Sequence, residues 1–203
     1  MSHGLDGTLA GDAYVNESAT TVHTGLKQQP DLAETSQIKK EIDIAAYAES
    51  PIHFSHISSG KSVAIIREAK KAGIKVTCDV SIWHLIYTDE SVLNYDSNYK
   101  VTPPFRTETD RQELINGLHD GTIDAIVSDH NPQNIENKRV EFDYAHYGIN
   151  GLQSFYSAYN QFLSNDISLE VLVEKTAIQP RQILTQPAAV VAEGQNANLW
   201  IAK

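Results

Sequence analysis

The sequence predicts an α/β fold built on a parallel sheet, with its chemistry at the strand ends. Residues 123–127, Ile-Asp-Ala-Ile-Val, form a short run with little polar alternation, the pattern of a strand covered on both faces. Residues 52–80 read as strand, turn, helix, turn and strand, which is a βαβ unit. The first run then gives way to Ser128-Asp129-His130-Asn131-Pro132, a polar segment just past the strand's carboxyl end. In parallel α/β sheets reactive groups sit there.

Two roles are open to Asp129. An Asp at a strand end can ligate a metal, take a proton from an activated water and return it to a leaving group. Ser, Asp and Asn before Pro also favour turns, so Asp129 can instead cap the next turn.

Residues 1–30 are rich in Gly, Thr, Asn and Asp and read as a long loop, or the tail of a strand, carrying His3 and Asp6. Residues 31–49 are helical, with Ala33, Ile38, Ile42, Ala45 and Ala46 at spacings of three to four and charges between them. Ser50-Pro51 ends that helix. A strand follows at 52–57, a turn at 58–60, a helix at 63–72 closed by Gly73, and a strand at 74–80. His53 and His56 stand an odd number of residues apart, so on a regular strand they face opposite ways. His56, nearer the carboxyl end, is the site candidate, and His53 is a packed, hydrogen-bonded histidine.

Residues 81–107 make a long excursion that holds His84 and the run Thr102-Pro103-Pro104-Phe105-Arg106. The paired prolines stiffen it. Arg106 can hold an anionic group or simply a local carboxylate. Residues 107–118 form a helix opening on acidic residues, which suit the positive end of its dipole. Residues 133–150 are polar and irregular, fit for a rim or lid. Residues 151–163 form an aromatic helix whose Phe155, Tyr156, Tyr159 and Phe162 are core by their spacing. Short helices follow at 169–176 and 180–184, and a last strand at 197–202.

Of the 203 residues 41% are hydrophobic, as in a globular protein of one domain, 1–203. No apolar run nears the roughly 20 residues that cross a bilayer, and no signal peptide opens the chain. The net charge of −10, without basic stripes or tails, argues against nucleic acid and anionic membrane as partners. The single Cys78 forms no internal disulfide and suits a reducing cytoplasm as a core thiol.

Several ordered motifs together resemble the dihydroorotases of the amidohydrolase superfamily. They are His53-Phe54-Ser55-His56-Ile57-Ser58, Pro103-Pro104-Phe105-Arg106, Asp120-Gly121-Thr122-Ile123-Asp124, Ser128-Asp129-His130-Asn131-Pro132, Gly148-Ile149-Asn150-Gly151-Leu152 and the closing Gly194-Gln195-Asn196-Ala197-Asn198-Leu199. The resemblance implies the second half of a metal-dependent (β/α)₈ barrel of the TIM type, with residues 194–203 starting a return strand to a small β domain. It implies interconversion of carbamoyl aspartate and dihydroorotate in pyrimidine synthesis. It assigns metal binding to His3, His56 and Asp129, proton transfer to Asp129, and substrate contacts to positions 102, 106 and 133. Zinc is the implied metal: neutral imidazoles bind it, and it makes bound water acidic near neutrality.

The departures from the family pattern define a second expectation. The chain has no His-x-His pair, so at most one weakly held zinc is expected where complete family barrels hold one or two. Gln133 stands where the family has a substrate-binding His, Thr102 where it has Asn, and Ile82-Trp83-His84 where it has Pro-His-His. These changes fit a non-catalytic subunit supporting a partner such as aspartate transcarbamoylase. Two further expectations follow. The chain acts on a small molecule, and it pairs with itself or with a missing barrel half. The strands near 52–57, 74–80 and 123–128 lie adjacent and parallel, and His3, His56 and Asp129 converge at their carboxyl ends.

Overall fold

The computed structural model describes residues 1–188 and 190–194. Among the described residues the strands are β1 (Ser2–His3), β2 (Val15–Asn16), β3 (Gln28–Gln29), β4 (Ile52–Ser55), β5 (Val76–Ser81) and β6 (Ala125–Val127). A short helix α1 (Gly7–Ala10) precedes the three long ones, α2 (Leu32–Tyr47), α3 (Gly60–Lys71) and α4 (Glu108–His119). A four-stranded parallel sheet runs β1-β4-β5-β6, and β2 and β3 form a small parallel pair of their own. The expected adjacency of the three main strands is therefore observed. The outer strands β1 and β6 each pair on one side only among the described residues.

The helices form because their apolar residues line one face. Ala33, Ile38, Ile42 and Ala45 are the buried stripe of α2, and Ala46 lies outside it, exposed. Thr107 and Asp110 close α4's first turn with a reciprocal capping box, which fixes where it starts. Ser59 caps α3, so that helix begins earlier than the apolar spacing suggests. Helices α2, α3 and α4 pack side by side, with α2 against β4 and α3 against β5. Gly117 permits the close approach of α4 to α3, since a Cβ there would stand 2.9 Å from Val63 Cγ1. Phe54 and Cys78 are paired across β4 and β5 and fully buried. The Cys78 thiol donates a 3.4 Å hydrogen bond to the Thr122 carbonyl, and burial pushes its pKa up.

Three expectations are corrected. The strand at 52–57 stops at Ser55, because His56 takes φ +58°. The strand at 123–127 is shorter, Ala125–Val127. The aromatic helix opens as turns and becomes helical at Phe155–Ala158, then a wider π turn at Tyr159–Leu163. Tyr159 is buried there but Phe162 is 49% exposed, so the widened turn takes Phe162 out of the core. The excursion at 81–107 holds 3₁₀ turns at Ile82–Leu85, Asp89–Val92 and Ser97–Tyr99. The rim at 133–150 contains a short helix, α5 (Ile135–Lys138). The last strand expected, at 197–202, lies outside the described residues.

Candidate active site

The ends of β1, β4 and β6 bring three predicted residues together. The His3 and His56 rings lie 5.6 Å apart between centroids. His56 Nε2 lies 3.5 Å from Asp129 Oδ1. Both His56 and Asp129 hold positive φ, +58° and +47°. Left-handed backbone is costly for residues with a Cβ, and such strain concentrates at functional sites. The two strands thus end in the same unusual way, and each turn delivers its side chain to the shared mouth.

Burial and the neighbouring His56 hold the His3 imidazole below its ordinary pKa. Burial pushes the Asp129 carboxyl up, against the pull of His56 and His3. A carboxyl raised in this way is suited to carry a proton.

The base of the site is a chain of hydrogen bonds. Asp79 Oδ1 accepts the His56 backbone N–H at 2.8 Å, and the Asp79 carbonyl accepts Ile57 N–H at 3.0 Å. Asp79 Oδ2 pairs with His53 Nε2 at 3.0 Å, and His53 Nδ1 pairs with Thr77 Oγ1 at 2.8 Å. Burial pushes the Asp79 carboxyl up, and its bonds from His53 and the His56 amide outweigh that, leaving it below the ordinary value. His53 is therefore the packed histidine expected. The reason is the left-handed turn at His56 rather than alternation along one strand. Asp79 was missed by motif reading, although a carboxylate between Cys78 and Val80 in a buried strand is itself a signal.

The end of β6 is clamped from the far side. Trp83 Nε1 donates to the Ser128 carbonyl at 3.0 Å, and His130 Nδ1 accepts the Gly151 and Leu152 amides at 3.2 Å each. A Cβ on Gly151 would stand 2.1 Å from the Ser128 carbonyl oxygen, so only glycine lets this loop lie against the strand end.

Arg106 lies apart from these three residues, in a buried cluster. Its Nε donates to Ser58 Oγ at 3.0 Å, its Nη1 to Asn16 Oδ1 and the Gln29 carbonyl at 3.0 Å, and its Nη2 stands 3.7 Å from Glu34 Oε2. Glu34 also accepts from the Ser58 and Ser59 amides and the Ser58 hydroxyl. Of the two roles open to Arg106, the local carboxylate is the contact observed. Thr102 is exposed. Gln133 donates to Asn131 Oδ1 at 3.0 Å and lines a cavity of about 770 Å³ with Tyr14, Lys27, Lys100, Asp143 and Tyr147. His3, His56 and Asp129 do not line that cavity.

The His56–Asp129 pair fits a shared zinc ion. Bonds of about 2.0–2.1 Å in a tetrahedral shell put two ligating atoms roughly 3.3 Å apart, close to the spacing here. Among the described residues no three His, Cys, Asp or Glu side chains are arranged to hold an ion, so His3 stands beside the pair rather than completing a set.

No family model matches the chain. A dihydroorotase of Caldanaerobacter subterraneus is 40% identical over 186 residues, 91% of this chain and 43% of the relative. One from Syntrophus aciditrophicus is 36% identical over 203 residues, covering 99% and 47%. The chain thus spans less than half the length of the relatives it matches. Among solved structures, L-hydantoinase (dihydropyrimidinase) from Arthrobacter aurescens matches with TM-score 0.73 at 24% identity, over 85% of this chain and 42% of that one. Dihydropyrimidinase from Brevibacillus agri matches with TM-score 0.75 at 22% identity, over 83% and 39%. These likenesses establish the fold, as part of a (β/α)₈ barrel.

Proposed function

We propose, from the homology of this chain with dihydroorotases along nearly its whole length, that it forms part of a cyclic amidohydrolase acting on dihydroorotate or carbamoyl aspartate. The observation that carries this reading is the approach of His56 to Asp129, 3.5 Å apart at two strand ends that both turn left-handed. Asp129 takes the proton of the attacking water and returns it to the ring nitrogen that leaves. His56 and Asp129 would hold zinc, with His3 beside them, and the metal would make the water acidic enough to ionise near neutral pH. No helix among the described residues is long and apolar enough to cross a membrane. Cytoplasmic action is part of the proposal and is supported by the buried, unpaired Cys78.

Without a His-x-His pair, the chain alone is expected to bind at most one zinc, weakly, and to turn over no dihydroorotate. Zinc content and dihydroorotate hydrolysis of the purified chain, with His56→Ala and Asp129→Asn beside it, test this. Metal retained undiminished in both variants would overturn the ligand set. Turnover abolished by His56→Ala would overturn the expected inactivity.

A second reading is a non-catalytic subunit, and Thr102 and Gln133 favour it. Gln133 donates to Asn131 and lines a cavity that His3, His56 and Asp129 do not line. In that reading the chain pairs with itself, with a complementary barrel half or with aspartate transcarbamoylase. Co-elution with a transcarbamoylase chain on gel filtration, with no metal bound, would favour it over the first.

A further inference from the structure

We propose that Asp79 is a positioning residue: it fixes the left-handed backbone of His56 and so sets the His56 imidazole beside Asp129, while His53 fixes Asp79. The use of His56 as a ligand rests on the functional reading above, but its placement does not.

The register supplies the argument. Strands β4 and β5 pair regularly as far as Phe54 opposite Cys78. Beyond that point one residue of β5 takes both of the next free amides of the neighbouring chain. The Asp79 carboxylate takes His56 N–H at 2.8 Å, and the Asp79 carbonyl takes Ile57 N–H at 3.0 Å. A side-chain oxygen has replaced a ladder carbonyl at His56. The chain therefore leaves the pleat at that residue while its amide stays paired. A carboxylate acceptor makes that bond charge-assisted, which helps offset the strain of φ +58°.

His53 and Thr77 complete the device. A carboxylate only accepts, so His53 Nε2–H donates to Asp79 Oδ2, and Nδ1 is left to accept the Thr77 hydroxyl. Both carboxylate oxygens and both ring nitrogens then have partners in a place where Asp79 is 4% exposed and His53 8% exposed. All four of these atoms are thus engaged within the cluster. Its one output is the direction of the His56 backbone.

The test uses the full chain with Asp79→Ala and Asp79→Asn. Backbone amide exchange is followed by NMR at His56, with Cys78 and Val80 as internal references, and no metal is needed. The proposal expects His56 exchange to quicken at least tenfold in Asp79→Ala against those references, and by a smaller factor in Asp79→Asn, whose amide oxygen still accepts. Cobalt(II) is the second probe: affinity should fall about 10- to 100-fold in Asp79→Ala, with a changed visible d–d spectrum. Unchanged exchange at His56 in a folded Asp79→Ala chain overturns the proposal. If Asp79→Ala does not fold, Asp79→Asn decides alone, and wild-type exchange at His56 in that variant overturns it. Failure of the wild-type chain to bind cobalt would sink the ligand reading, while the exchange result would still decide the positioning role.

Discussion

Two buried polar clusters lie beneath the strand ends, and they differ in what they hold. The Arg106 cluster gathers distant pieces of chain: Asn16, Gln29, Glu34 and Ser58 all meet one guanidinium, and Asn16 Nδ2 passes the link to Asp89 Oδ2 at 2.9 Å. The Asp79 cluster joins only neighbours on two adjacent strands, His53, Thr77 and His56. The first ties the loop at 15–29 and the start of α2 to the segment after the Pro pair. The second aims one backbone turn. Charge buried in a protein thus serves assembly in one place and placement in the other, and the partners' separation along the chain tells which.

The largest expected effect breaks the contrast if it is wrong. Arg106→Ala strips a 1%-exposed guanidinium from Glu34 and leaves that carboxylate without its cation. A loss of about 3–5 kcal/mol is expected from urea unfolding. Arg106→Lys should recover little, because one ammonium cannot serve Ser58, Asn16 and Gln29 together. A loss no larger than that of an exposed residue would put Arg106 on the same footing as the surface pairs.

The next effect concerns His84, whose surroundings include both His56 and Arg106. Burial holds its imidazole down, to about 3 from an ordinary 6.5, with Nε2 donating to the Pro103 carbonyl at 3.0 Å. The unfolded chain therefore binds the proton more readily than the folded one. The contribution is complete above pH 6.5 and is lost as pH falls from there towards 3. About 3 kcal/mol should go by pH 4. In His84→Gln the decline of the unfolding free energy from urea titrations between pH 6.5 and 4 should be shallower by that amount, and an identical decline would refute the assignment.

A smaller effect sharpens the picture at the second strand end. Gly151→Ala drives a methyl into the Ser128 carbonyl, and about 1–3 kcal/mol of stability should be lost as the loop lifts from Asp129. The smallest is Lys71→Ala, which removes an exposed pair with Glu68. No shift of the melting midpoint is expected, and a clear one would show that exposed charge matters more here than the buried clusters suggest.

Much of this was readable from residues alone, and the limits have physical causes. Helix α2 and the strand order follow from local spacing, which the chain carries within each segment. The grouping of His3, His56 and Asp129 was readable because parallel strands deliver their ends to one side. The end of β4 at Ser55 was not, because it depends on a carboxylate more than twenty positions later, at Asp79. Arg106 was ambiguous for the same reason: its partners lie in segments that only the fold brings near. Phe162 was misread because a π turn changes the spacing on which the helical reading relied.

Cys78 gives the central strand a consequence of its own. It is the chain's one thiol, wholly buried beside Asp79, with burial keeping it in the unreactive protonated form. A thiol reagent in excess can reach it only when β5 detaches from its neighbours. The rate of labelling in native buffer is therefore expected to be slow and to act as a clock on that opening, reading the stability of the strand that aims His56.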